Sequence, residues 1–219
     1  MLQEIRALGY DVRALRTDIA HSETRRLQQE LDCWHSNART MFESCLFKDN
    51  LALYYQCTRP TDSYLKCMVT GAFYPRNEVR ASHIVKKSTD GMTMHLYGLP
   101  TDIDHVRNGL LLLEPIEQAF DRKDICFLYH SVATETAPAH SLTVKVLNPN
   151  LLTQAMPKSS PYGATYPITY GSIDGSVLHL PSSIFPYRRA LSMQAKFALS
   201  RALNKGWIAD DPSIETYFN

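Results

Sequence analysis

The sequence predicts an α+β fold, and three observations lead there. Apolar residues at three- and four-residue spacing fill the first part of the chain, short β-like runs replace them from Tyr64, and helical patterning returns at Tyr187. With 219 residues, 44% apolar and 21% charged, the chain has enough core-forming side chains for one large domain and too few charges for a disordered polymer. We expect a helical amino-terminal region over 1–60 and a second domain over 61–219.

The elements follow in order. Ile5, Leu8, Val12, Leu15 and Ile19 line one face of a helix within 3–31, which either packs on the core or forms a homodimer seam. A second helix is expected from Ser36 to Gln56, with Met41, Cys45, Leu46 and Leu53 on one side, closed by Arg59-Pro60-Thr61-Asp62. Tyr64–Val69 and Val79–Val85 read as the two strands of a hairpin with a long loop. Lys86–Arg107 reads as an extended connection. After Asn108-Gly109, Leu110–Leu113 is short enough for a buried strand, and Glu114-Pro115 starts a helix with Pro in its first turn. Ile125–His130 and Ser141–Leu147 are two further strands, and a proline-rich wrap with a short strand near Val177–Leu180 leads to the last helix, Tyr187–Lys205, stopped by Gly206.

Composition excludes several classes. The longest apolar run, Leu110–Leu113, is far shorter than a membrane span, and the amino terminus lacks a secretory h-region, so no membrane partner and an intracellular site of action, the nucleus included, are expected. Cysteines at 33, 45, 57, 67 and 126 are odd in number and contain no C-x-x-C pair, which argues for buried thiols over disulfides or a zinc knuckle. The net charge of +1 gives no global sign of a polyanion partner.

Chemistry-bearing residues gather around the strand, strand, helix unit. Glu117 and Asp121 lie four apart on the helix, so their carboxylates share a face and repel unless a cation sits between them. Two carboxylates and the Asn108 side-chain carbonyl suit a hard divalent ion, Mg²⁺ or Mn²⁺, and His83 at the end of a strand is placed to act as general base. Taken singly, each of these has an ordinary structural reading: a turn for Asn108-Gly109, a solvated helix face for the acidic pair.

The motifs C-x-x-T-G (Cys67–Gly71), A-S-H-I-V (Ala81–Val85), R-N-G-L-L-L-L (Arg107–Leu113) and A-F-D (Ala119–Asp121) occur in that order. This arrangement resembles the HNH endonuclease family, most closely its fungal-type members with A-H-I-V and F-D signatures, over about Tyr64–Phe127 and more weakly through Asp174–Pro181. The resemblance implies a ββα-metal core with flanking strands, His83 as the base that activates water, and Asn108 as metal ligand or as the group that orients the His83 loop. It places Asp121 at a metal-ligand position. Glu117 stands where the family carries its third signature residue, His, which turns metal preference toward Mg²⁺ or Mn²⁺. Ser82 replaces a liganding side chain that many relatives have before the base.

The implied reaction is one-metal hydrolysis of a DNA phosphodiester, with RNA left open. Arg107 and Arg80 are candidate phosphate clamps, and Arg188, Arg189, Lys196 and Arg201 on the last helix form a basic surface for a nucleic-acid backbone. Met193, Phe197 and Leu203 are expected on that helix's core side. Asp102, Asp104, His95 and His105 read as loop surface. A catalytically degenerate HNH fold that binds nucleic acid or protein without cutting is the alternative. Defence, an effector or toxin acting inside another cell, and a mobile element are all compatible settings.

Overall fold

The computed structural model describes residues 44–58, 63–89, 92–133, 138–156, 168–182 and 184–209. The chain divides into two units, 1–46 and 47–219, and the second carries the site. The expected helix within 3–31, its homodimer seam, Cys33 and the start of the second helix lie outside the described residues.

The architecture of the described residues is α+β: antiparallel two-stranded sheets, short helices between them and a long carboxy-terminal helix. Helix α1 is described over 44–54. Phe47, Leu51 and Tyr55, four apart, bury on one stripe, whereas Cys45, Leu46 and Leu53, grouped on one side in the sequence, are exposed. Gly109 accounts for where the stripe lands. A Cβ there would lie 2.6 Å from Phe47 Cζ and 2.8 Å from the Leu51 methyls, so the helix packs where the strand lacks a side chain.

Strand β1 (Tyr64–Lys66) pairs with β2 (Phe73–Pro75), and β3 (Val79–His83) pairs with β4 (Gly109–Leu113). The expected hairpin between the first and third of these runs is therefore corrected. Gly71, at φ 69°, donates its N–H to the Cys67 carbonyl at 2.9 Å and returns the chain at once, so β1 meets β2. β4 is covered on its other edge by the same turn. Met68 N–H reaches the Leu111 carbonyl at 2.9 Å, while the Met68 and Cys67 sulfurs each accept a strand N–H at 3.3 Å. Both edges of β4 are thus occupied, consistent with its five buried residues.

The connection after β3 is more ordered than expected, with short 3-10 turns and helix α2 (Met92–Leu96). Helix α3 (Glu114–Asp121) buries Pro115, Ile116, Ala119 and Phe120 and leaves Glu117 and Asp121 on its outer face. Strands β5 (Ile125–Ala133) and β6 (Pro138–Val146) form a hairpin. The Asp174–Pro181 stretch straps it: the Asp174 carboxylate accepts the Val146 N–H at 2.8 Å, and His179 N–H reaches the Met68 carbonyl at 2.7 Å. The strand expected near Val177 reduces to a single bridge to Thr143. A short helix, α4 (Tyr170–Ile173), begins at a Thr169 capping box.

Helix α5 (Arg188–Asn204) ends at Gly206, at φ 66°, as the sequence predicts. Its buried face is Ala190, Leu191, Gln194, Ala195, Ala198, Leu199 and Ala202, whose small side chains let it lie close to β5. Phe197, expected in the core, is 55% exposed. Cys57, Cys67 and Cys126 are buried free thiols and Cys45 is exposed. Burial pushes the Cys57 thiol up to about 11 and the Cys126 thiol up to about 12. No helix among the described residues is long and apolar enough to cross a membrane.

Candidate active site

His83 is the last residue of β3 and lies opposite Gly109, the first residue of β4, so the ribbon brings it beside Asn108. Strand alternation turns Ser82 the other way: it is 2% exposed and its hydroxyl has no hydrogen-bond partner among the described residues. The His83 ring stacks on Phe47, with centroids 4.1 Å apart and planes at 10°. Its Nε2 lies 2.8 Å from Asp104 Oδ1, and Lys87 Nζ lies 3.2 Å from the other carboxylate oxygen. An ionised carboxylate only accepts, which assigns the proton to Nε2 and leaves the lone pair on Nδ1. Burial lowers the His83 pKa from 6.5, Asp104 opposes that shift, and Lys87 adds to it. The imidazole is therefore neutral at pH 7, the protonation state a base requires.

Asn108 is fully buried. Its Oδ1 accepts the Val85 N–H at 3.0 Å, and its Nδ2 donates to the Val85 carbonyl at 3.1 Å and the Ile103 carbonyl at 2.9 Å. Its own carbonyl accepts the Ile84 N–H at 2.9 Å. Every polar atom of this side chain is directed at backbone on two sides, the segment after His83 and the loop that carries Asp104. That arrangement is the loop-orienting one of the two roles the sequence allows.

The loop before Asn108 is held by residues read in the sequence as surface. Asp102 Oδ1 accepts the Asp104 N–H at 3.1 Å, and His105 Nδ1 accepts the Arg107 N–H at 3.1 Å, capping the turn Val106–Asn108. Asp104, read in the sequence as loop surface, is the residue that the structure sets against His83. Nothing in its spacing marks it, because the pairing with His83 spans 21 positions and arises only when Asn108 draws the two segments together.

Glu117 and Asp121 share the outer face of α3. Burial raises the Glu117 pKa from 4.5, the Asp121 charge raises it further, and Arg80 and Lys86 pull it back. The repulsion expected between the carboxylates is present, and Lys86 Nζ already answers part of it at 2.6 Å from Asp121 Oδ2. No group of three or more His, Cys, Asp and Glu residues arranged to hold a metal occurs among the described residues. The donor set still fits a hard divalent ion that is held by one or two carboxylates and keeps water on its remaining positions. It does not fit a closed four-ligand zinc site.

The cationic candidates divide by how the fold uses them. Arg80 pairs with Glu114 at 2.5 Å. Arg107 donates Nε–H to the Phe185 carbonyl at 3.0 Å and lies 4.8 Å from the Tyr187 ring centroid. On α5, Arg188 covers the Tyr129 ring at 4.0 Å, Arg189 donates to the Tyr97 carbonyl at 2.7 Å, and Arg201 donates to the Arg122 carbonyl. Lys196 is exposed.

Two clusters result, His83 with Asp104 and Lys87, and Glu117 with Asp121 and Lys86, joined by the adjacent lysines. No curated protein and no solved structure matches the chain. Residues 67–128, which contain His83, Asp104, Asn108, Glu117 and Asp121, match the family model of HNH endonucleases.

Proposed function

We propose that the protein is a metal-dependent endonuclease that hydrolyses DNA phosphodiester bonds, with His83 as general base. The observation that carries this reading is the His83–Asp104 pair, Nε2 held 2.8 Å from the carboxylate at the end of a strand within the matched segment. Nδ1 takes a proton from water as the water oxygen attacks phosphorus, the 3′ oxygen departs on the opposite side with the bonding pair and takes a proton from solvent, and Asp104 stabilises the imidazolium that forms. Glu117 and Asp121 are the residues that would hold Mg²⁺ or Mn²⁺. A bound divalent ion supplies compensation of the negative charge on the phosphoryl oxygens. Asn108 keeps the His83 loop and the Asp104 loop in register, and the basic residues of α5, Lys196 among them, face the phosphate backbone.

A second reading, binding without cleavage, is favoured by one observation: the Lys86 ammonium already sits on Asp121, where a metal ion would otherwise compensate the charge. Plasmid nicking with Mg²⁺, Mn²⁺ or EDTA separates the two. Metal-dependent nicking that is lost in His83→Ala and in the Glu117→Ala, Asp121→Ala double variant supports the nuclease. An inert protein that still retards DNA in a gel supports the binding module.

A further inference from the structure

His83 and Gly109 face each other in the β3–β4 register, and residues directly opposite in an antiparallel pair carry their side chains on the same face, about 5 Å apart. Gly109 has no side chain to set against the imidazole. Phe47 takes that place from helix α1. A Cβ on Gly109 would lie 2.6 Å from Phe47 Cζ, and the phenyl ring that fills this gap lies against the His83 ring with centroids 4.1 Å apart and planes at 10°. Phe47 is buried, and Leu51, one turn further along α1, reaches the same gap, so the helix is seated over Gly109 at two successive turns. Phe47 precedes the segment 67–128 that matches the endonuclease family, so this contact with the base comes from outside it.

We propose that Phe47 is a positioning residue of the hydrolytic site, its ring fixing the plane of the His83 imidazole so that the Nδ1 lone pair points in one direction. The hydrogen bond to Asp104 does only part of this work: at 2.8 Å it places Nε2 but leaves the ring able to turn about the line from Nε2 to Oδ1. A parallel aromatic contact removes that rotation, because turning the imidazole drives its atoms into the phenyl face. A base that acts on a positioned water has to be held within about 0.5 Å and roughly 10–20° of its productive geometry, and the two contacts together meet a demand that one hydrogen bond does not. The stack also closes one face of the imidazole to water. Gly109 gains a chemical reason for its place in R-N-G-L: a side chain there would push Phe47 off the ring. This inference rests on His83 as the base and adds to the site a residue that carries neither charge nor hydrogen bond.

The test compares the full chain with Phe47→Leu, which keeps apolar bulk but removes the aromatic face, and with Leu51→Val, which trims the other side chain over Gly109 and leaves Phe47 in place. Plasmid nicking with Mg²⁺ or Mn²⁺ is measured against DNA concentration at a temperature where circular dichroism shows each variant folded. Phe47→Leu is expected to lower kcat by roughly 10- to 100-fold with KM within about twofold of the wild type, the pattern of a misplaced base, and Leu51→Val is expected to keep kcat within about twofold. Proton NMR without metal or DNA reads the stack itself. The carbon-bound ring protons of His83, assigned by their loss in His83→Ala, are expected upfield in the wild type and Leu51→Val, and shifted downfield in Phe47→Leu. A wild-type kcat in Phe47→Leu, an equal loss in Leu51→Val, or ring protons that Phe47→Leu does not move overturns the positioning role. The two readings fail apart: nicking by the wild type with kcat unchanged in Phe47→Leu removes the positioning role alone, and a wild type that nicks nothing with either metal removes both.

Discussion

Asn108→Ala separates an architectural asparagine from a metal ligand. The side chain is fully buried and makes hydrogen bonds of 3.0, 3.1 and 2.9 Å to Val85 N–H, Val85 C=O and Ile103 C=O. At about 1 kcal/mol net for each bond, their loss destabilises the protein by about 3 kcal/mol, and the orphaned Val85 N–H brings this to ~4 kcal/mol. The assay is guanidinium unfolding, with a shifted midpoint at unchanged slope as the signature of a stability change. Asn108→Asp sharpens the test. It keeps the acceptor for Val85 N–H but turns the donor into a carboxylate facing two carbonyl oxygens, so it is expected to be at least as damaging as alanine. A loss below about 1 kcal/mol in Asn108→Ala, with nicking abolished, would refute the clamp and return Asn108 to the chemistry.

Four other outcomes are expected. The acid limb of the nicking rate lies below pH 6.5, because burial lowers the His83 pKa; Asp104→Ala moves it to still lower pH by removing the group that opposes that shift, and His83→Ala lowers the rate by roughly 10²–10⁴-fold, as pH–rate profiles will read. His83 also binds fewer protons folded than unfolded in that window, so its contribution to stability is present above pH 6.5 and falls as pH drops toward the folded pKa. Glu117→Gln is expected to raise the melting temperature at pH 7 and to lose that gain near pH 4: the Glu117 pKa is raised, so the native state favours its proton, and ionisation at higher pH is what destabilises. Gly109→Ala forces a Cβ to within 2.6 Å of Phe47 and is expected to cost about 1–3 kcal/mol, measured by chemical unfolding.

Local signals in the sequence located the ββα unit well. Pro115 in the first turn of α3 and Gly206 after α5 act through their own backbone preferences, which are readable from a single position. Strand partners were less legible. The runs at Tyr64 and Val79 are both plausible hairpin strands, and what decides between them is the Gly71 turn together with two sulfurs that accept N–H bonds from β4, contacts spanning more than forty positions. Phe197 was misread because an apolar residue on a helix was assigned to the core face by type. Four alanines, with Leu191, Gln194 and Leu199, hold that face instead, since small side chains at the contact let a helix lie close to a sheet.

The site shows the same division: His83 and Asp121 stand inside motifs, whereas the side chains set against them do not. Asn108, Gly109 and the Cys67–Gly71 turn are short-range signals because their work is to fix backbone: a clamp on Val85, a gap for Phe47, a cover for β4. Chemistry then comes from whatever side chains this backbone brings together. Asp104 reaches His83 from a loop with no motif of its own, Lys86 pairs with Asp121 across 35 positions, and Lys87 pairs with Asp104. The charges around His83 and α3 are therefore distributed over residues that local spacing does not connect. Replacing Lys86 with Met tests that distribution directly: without its ammonium, the Asp121 and Glu117 charges are compensated less, so Mg²⁺ is expected to raise the melting temperature more in Lys86→Met than in the wild type. Equal shifts would mean that the two carboxylates do not share a cation, and the metal role assigned to α3 would fail with them.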